Sequence, residues 1–288
     1  MKRLAFYFLL FTLLLSACTP TSIPTSAEPQ TITILTHDSF AIGKDVIAAF
    51  ESANNAKVVF LQSGDAGAVL NQAILTKNAP LADVLFGVDN TFLSRALDAD
   101  VFEAYQSPML IDIPNEFKLD SFNRALPVDY GDVCINYDKN YFAENNLAVP
   151  QTFEDLAKPE YKGLLVVEDP ATSSPGLAFL LATYAHFRDG YLDYWKGLKA
   201  NGVIVVDGWE TAYYTNFSAS SGKGPQPMVL SYASSPAAEV FFASPAPTES
   251  PTASIVASDM CFRQIEFVGI LKNGKNRDLA QKFVDFML

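Results

Sequence analysis

Apolar positions switch repeatedly along the chain between a period of two residues and one near 3.6, which predicts alternating strands and helices. Residues 31–35 alternate as a strand, and Val46, Ile47, Ala49 and Phe50 follow at helical spacing. Residues 58–61 read as a second strand. Ser63-Gly64-Asp65-Ala66-Gly67 then opens a helix whose apolar face is Val69, Leu70, Ala73 and Ile74. Residues 82–88 form a third strand, ended by Asp89-Asn90, and the next helix carries Phe92, Leu93 and Leu97. This order predicts an α/β protein whose mostly parallel sheet is flanked by helices.

Residues 104–124 break the pattern and read as a crossover into a strand through Cys134 and Ile135. A second series begins where Thr152 caps a helix. Strands follow over 162–167, 203–206 and 228–231, each ending in polar or aromatic residues. Proline-rich 244–251 reads as a surface loop, residues 261–270 as a strand and 276–288 as a helix. The last helix has no cap, glycine or polar tail after Leu288. It reads as cut from a longer protein, which would leave Phe286 and Met287 exposed.

The turn Asp169-Pro170-Ala171-Thr172-Ser173-Ser174-Pro175-Gly176 joins a buried strand to an apolar helix. Ser174 is placed as the N-cap and Pro175 as the first helical residue. First-turn N–H groups lack intrahelical partners and the dipole is positive there, so Thr172, Ser173, Ser174 and the Gly176 amide form a candidate anion cradle. An ordinary capped helix has the same local chemistry.

Lys2 and Arg3, an apolar run over 4–15 and Leu15-Ser16-Ala17-Cys18 have the form of a signal peptide with a lipidated cysteine, Cys18, as mature N-terminus. Residues 1–17 are then removed. Residues 18–30 form a flexible Thr/Ser/Pro tether, and the protein is exported and membrane-anchored through lipid. Cleavage removes two of the 20 basic residues and none of the 32 acidic ones, leaving 18 against 32 and a net charge of −14. That balance argues against nucleic acid and suits a cationic ligand. Cys134 and Cys261 remain as a pair in an oxidising compartment, where a disulfide and two buried thiols are both open readings.

Trp209 and Tyr232 each stand where a strand ends, placed to hold a flat cationic ring by stacking and cation–π contact; Asp65 is a candidate countercharge. Packing and helix capping are the competing roles. The two histidines, His37 and His186, make no triad with a nucleophile, and nothing has zinc-ligand spacing. No metal or cofactor is expected. Tyr213-Tyr214 with His37 and a carboxylate is a weaker candidate for a ferric ion.

Together these turns resemble those of the thiamine-binding proteins of bacterial ABC importers, a branch of the two-lobed type II periplasmic-binding-protein fold. The matching stretches run in the family's order: Asp38-Ser39-Phe40; Ala82-Asp83-Val84 through Asp89-Asn90; Asp129-Tyr130-Gly131 with Tyr137-Asp138-Lys139-Asn140; Asp169-Pro170 with Thr172-Ser173 and Pro175-Gly176; Gly208-Trp209 with Ala212-Tyr213; Leu230-Ser231-Tyr232 with Ser235-Pro236-Ala237; and Leu279-Ala280-Gln281-Lys282-Phe283. The pattern departs at His37 and Ala238, where family members carry tyrosine. The resemblance implies one lobe over 31–125, a second over 126–260 and a return to the first over 261–288. Between them a cleft would close on thiamine, its monophosphate or its diphosphate.

By position, Asp65 would face the cation, Trp209 and Tyr232 would contact rings, and Thr172, Ser173, Ser174 and Gly176 would hold the hydroxyethyl or phosphate end. His37, Asp38 and Tyr213 complete the expected contacts. The implied function is a monomeric solute-binding lipoprotein delivering ligand to an ABC permease, with no bond made or broken. A ferric-ion binder of the same fold and a secreted enzyme using the cleft are the alternatives.

Overall fold

The computed structural model describes residues 28–219, 222–257 and 259–288. The signal peptide, Cys18 and most of the tether lie outside the described residues. Met1–Gln30 is a separate unit from Thr31–Leu288, which carries the fold.

Strand β1 (Gln30–Thr36), helix α1 (Lys44–Asn54), β2 (Ala56–Gln62), α2 (Ala66–Leu75), β3 (Val84–Asp89) and α3 (Leu93–Asp98) alternate as their periodicities require. Short β4 (Phe102–Glu103) precedes an irregular crossover with two 3-10 turns, and long β5 (Leu126–Asp138) follows. The second series comprises α4 (Lys139–Glu144), α5 (Phe153–Leu156), β6 (Leu165–Glu168), α6 (Ser174–Phe187), α7 (Tyr191–Ala200) and β7 (Ile204–Val206). A helical turn at Trp209–Thr211 widens into a π turn over Ala212–Asn216. Then come β8 (Met228–Tyr232), α8 (Ser235–Phe242), β9 (Thr252–Ile255), β10 (Phe262–Leu271) and α9 (Arg277–Met287).

The sheet runs β2-β1-β3-β10-β5-β8-β6-β7, with β4 against β10 and β9 against β5. The wings are parallel, β1 with β3 and β6 with both β7 and β8. The centre is antiparallel, because β10 pairs with β3, β4 and β5, and β5 pairs with β8 and β9. Period-two patterning cannot distinguish these cases, which is why a mostly parallel sheet is what the sequence predicts.

Two groups of cores lie along this sheet. Leu126 at the start of β5 packs with Ile34, Val84 and Phe283, whereas Val133 and Ile135 farther along pack with Phe153, Phe179 and Leu230. The chain thus crosses from one half to the other inside β5. It returns inside β10, where Phe262 borders the second half's core and Ile265 and Phe267 lie in the first's. Each fully buried Phe or Leu contributes about 1.5–3 kcal/mol from area removed from water. Helix α9 buries Leu279, Ala280, Phe283 and Val284, one stripe of its surface. Phe286 and Met287, expected to be exposed, are half-buried in the same cluster, with the Phe286 ring 5.1 Å from that of Phe50.

Cys134 on β5 and Cys261 just before β10 are bonded, Cα to Cα 4.5 Å, which ties the two crossing strands together. Their separation of 127 residues closes a long loop in the unfolded chain. Replacing both cysteines by alanine is therefore expected to lower the free energy of unfolding by about 2–4 kcal/mol in a urea titration. An unchanged midpoint and slope would mean that the bond contributes nothing.

Candidate functional site

The ends of β1, β3 and β8, the first part of β5 and the middle of β10 meet at one cleft. At the end of β1, His37 is largely covered and lies beside β3, where Gly87 has φ +101°; a Cβ on Gly87 would lie 2.4 Å from the imidazole. Glycine is required there both by conformation and by the approach of the ring. His37 Nδ1 lies 2.9 Å from Ser39 Oγ, and Nε2 lies 3.3 Å from Glu266 Oε1. Burial opposes charging of this imidazole. The bond to Glu266 and the fields of Glu266, Asp65 and Asp38 outweigh it, and the pKa is raised.

Strand register then aligns a row of carboxylates. Glu266 on β10 is opposite Asp89 on β3 and opposite Asp129 on β5, with an irregularity directly after it in the β5 ladder and one residue farther on in the β3 ladder. Asp89 is fully buried. Its Oδ1 accepts from the Thr91 hydroxyl at 2.6 Å and from the amides of Thr91 and Phe92, yet burial pushes its pKa up to about 6. Asp129 stands at the rim, where loss of solvent and then the charge of Glu266 push it up to about 7. Like charges held this close resist ionising together.

Trp209 is held at three points. Its amide donates to Asp65 Oδ2 at 3.0 Å, its indole N–H donates to Ser231 Oγ at 2.9 Å, and its ring stacks on Tyr213 at 4.8 Å and 18°. The π turn brings Tyr213 beneath the indole, a backbone irregularity of a kind that often marks functional sites. Tyr232, on β8, donates to Gln264 Oε1 at 3.3 Å. Burial first, then Glu266, Asp65 and Asp89, keep its hydroxyl protonated.

His37, Trp209, Tyr232, Gln264, Asp129 and Glu266 line a cavity of about 330 Å³. It offers ring faces and more carboxylates than His37 can neutralise, so it suits a flat cation. Three of the expected residues, His37, Trp209 and Tyr232, meet in it. Tyr213 instead lines an adjoining cavity. Asp38 is exposed, and its amide bonds the Gly64 carbonyl. Asp65 lines neither cavity: it caps α2 through the Ala66 amide at 2.7 Å and clamps Trp209 from behind. Burial raises its pKa against those hydrogen bonds.

The candidate anion cradle lies elsewhere and has another role. Ser173, not Ser174, is the N-cap of α6, and Ser173 and Ser174 are both buried away from the two cavities. Ser173 faces Asp65 and Ser174 faces Asp89, so the helix N-terminus is already surrounded by carboxyl groups. Fully buried Glu168, pushed well up by burial and by Asp65, adds a third. Thr172 donates to the Asp207 carbonyl at 2.6 Å and its own carbonyl accepts from the Gly67 amide at 2.9 Å. A Cβ on Gly176 would lie 2.5 Å from the Glu168 carbonyl oxygen, so close packing accounts for that glycine. Nor do the adjacent tyrosines form a metal pair: Tyr213 is buried with its hydroxyl on Glu239, while Tyr214 is exposed and edge-on to it. Among the described residues no cluster of three or more His, Cys, Asp or Glu has metal-binding geometry.

Asp129, Gln264 and Glu266 were not among the expected ligand residues. The available signal was Glu266, a charge between Ile265 and Phe267 in an otherwise apolar strand, which needs a reason to be there.

Residues 79–288 match the family described as bacterial extracellular solute-binding protein. The chain belongs to this family. It is 30% identical over 280 residues to the thiamine-binding periplasmic protein of Escherichia coli, covering 96% of this chain and 80% of that one. To the thiamine-binding periplasmic protein of Salmonella typhimurium it is 30% identical over 270 residues, 92% of this chain and 77% of that one. A solved periplasmic thiamin-binding protein superposes with a TM-score of 0.78 at 28% identity, over 91% of this chain and 79% of the other. Substrate binding is accordingly the role of this solute-binding protein, and its α/β fold is that of the periplasmic binding proteins.

The cleft makes stability depend on pH. Asp89 and Asp129 hold protons more tightly folded than unfolded, and so does His37, so the stability they contribute is present at low pH and lost as pH rises through their folded pKa values. For Asp89 the rise from 3.8 to about 6 corresponds to roughly 3 kcal/mol. In urea titrations of the ligand-free protein, stability is expected to fall between about pH 4 and 7, less steeply in Asp89→Asn. A wild-type profile flat across that window would contradict the assignment.

Proposed function

We propose that this chain is the exported, lipid-tethered binding subunit of an ABC importer, a monomer that captures thiamine and presents it to a membrane permease. Cys18 is its lipid anchor, and residues 31–125 with 261–288 and residues 126–260 are the lobes that close on ligand. The observation that carries the reading is the cavity where Trp209 and Tyr232 stand beside Asp129 and Glu266. A thiazolium there gains stacking, cation–π attraction and countercharge together, in a chain whose relatives are named for thiamine. Capture without turnover follows the relatives, which are named as binding proteins.

Thiamine itself fits better than its phosphates. The hydroxyls of Ser173 and Ser174 face carboxyl groups, and a phosphate brought there meets Asp65, Asp89 and Glu168. Calorimetry with thiamine is expected to give one site per chain, quenching tryptophan emission. Trp209→Ala should weaken it by about 1–3 kcal/mol, and thiamine monophosphate should bind less tightly than thiamine. Unchanged affinity in Trp209→Ala would remove the indole from the site, and tighter binding of the phosphate would restore the anion cradle.

A further inference from the structure

Glu168 closes β6, paired in register with Val206 of β7, and lies fully buried where that strand leads into the turn before α6. Among the described residues neither of its carboxyl oxygens has a hydrogen-bond partner. An unpartnered carboxylate in a core is among the costliest groups a protein can hold, so this position needs an account. The field it feels is that of Asp65, the N-cap of α2, which reaches it from the other half of the molecule. Asp65 in turn stands in the fields of His37 at the end of β1 and Glu210 after β7. Asp89 of β3 faces Ser174 in the first turn of α6, Asp169 is turned onto the Ala171 amide, and Tyr232 of β8 keeps its proton.

Two buried carboxyl groups in each other's field do not ionise alike when one has donors and the other has none. Asp65 accepts from the Ala66 amide at 2.7 Å and, through its other oxygen, from the Trp209 amide at 3.0 Å. Two N–H donors favour a carboxylate there. Glu168, with no donor, is where the proton rests. We propose that Glu168 is a positioning residue for the Trp209 indole: as a neutral acid it leaves Asp65 ionised, and the ionised Asp65 holds the Trp209 amide. Burial and then the charge of Asp65 raise the pKa of Glu168, in agreement with that assignment. The role rests on the thiamine reading and deepens it, because Trp209 is a ring that thiamine meets in that reading. When Glu168 ionises at alkaline pH, two carboxylates face each other inside the protein, and their repulsion acts against the bond that Trp209 donates to Asp65.

The test compares the unaltered protein with Glu168→Gln, which keeps the shape of the side chain and cannot ionise. The unfolded chain loses the Glu168 proton at the ordinary 4.5, whereas the folded protein keeps it. In ligand-free urea titrations the folding constant of Glu168→Gln should therefore gain on that of the unaltered protein by up to about 10-fold per pH unit above that value. In calorimetry, Glu168→Gln should bind thiamine within about 3-fold of the unaltered protein at about pH 6, and lose affinity less steeply toward about pH 8. That difference in slope, which a merely structural residue would not produce, should vanish in a Trp209→Ala background. Should Glu168→Gln fail to fold, infrared spectra of the unaltered protein carrying isotope-labelled glutamate decide: the carbonyl band of a protonated glutamic acid should persist at about pH 8. Absence of that band, a stability gap that does not change with pH, or parallel affinity profiles would each overturn the role of Glu168 while leaving thiamine as the ligand. Failure of the unaltered protein to bind thiamine overturns the thiamine reading, and the positioning role with it.

Discussion

Glu266 faces Asp89 on one side and Asp129 on the other because β10 is paired antiparallel with both β3 and β5, and this row of carboxylates governs the chemistry of the cleft. Neighbouring carboxylates, Asp89 fully buried and Asp129 at the rim, resist ionising together, so both hold protons more tightly and the His37 imidazole is favoured as a cation beside them. In the proposed function, the charge of an entering cation takes the place of the proton. The β5 ladder is irregular directly after Glu266 and the β3 ladder one residue farther on, as bulges beside binding sites often are, and such irregularities re-aim side chains that a regular ladder would place differently. Ligand preference in this protein therefore begins with strand register.

Asp65 links that electrostatics to the second half of the molecule. It belongs to α2 in the first half, yet its second oxygen holds the amide of Trp209 in the second half, while the Gly67 amide holds the Thr172 carbonyl. Both bonds cross between the halves next to the indole that lines the site. The same contacts that position Trp209 therefore also join the two halves beside the cavity. The crossings through β5 and β10, tied by Cys134–Cys261, keep the halves connected through the same strands that carry Asp129 and Glu266.

The alternation of strands and helices was readable from periodicity, because each element buries one face. That Trp209 and Tyr232 stand beside one cavity was readable from their places just after strands, although both also pack against the cores. Pairing direction was not: a buried strand looks the same whether its neighbour runs parallel or antiparallel, so β5 and β10 were placed as strands and not as the antiparallel centre. Ser173 and Ser174 misled for a related reason. The helix start they mark is real, but the carboxyl groups of Asp65 and Asp89 reach it only through tertiary contact. Asp129 and Glu266 lie 137 positions apart and meet only across a ladder, so neither had a local signature beyond one charge in an apolar strand.

The central claim, that a cation displaces protons from this row of carboxylates, is tested most directly by thiamine calorimetry at pH 7 in two buffers of different ionisation enthalpy. Asp129, with a pKa of about 7, is partly protonated in the empty cleft, and His37 loses protons in the same direction when a cation arrives. The observed enthalpies should therefore differ by an amount corresponding to net proton release, and the difference should shrink in Asp129→Asn. Equal enthalpies in the two buffers, or net proton uptake, would contradict the account.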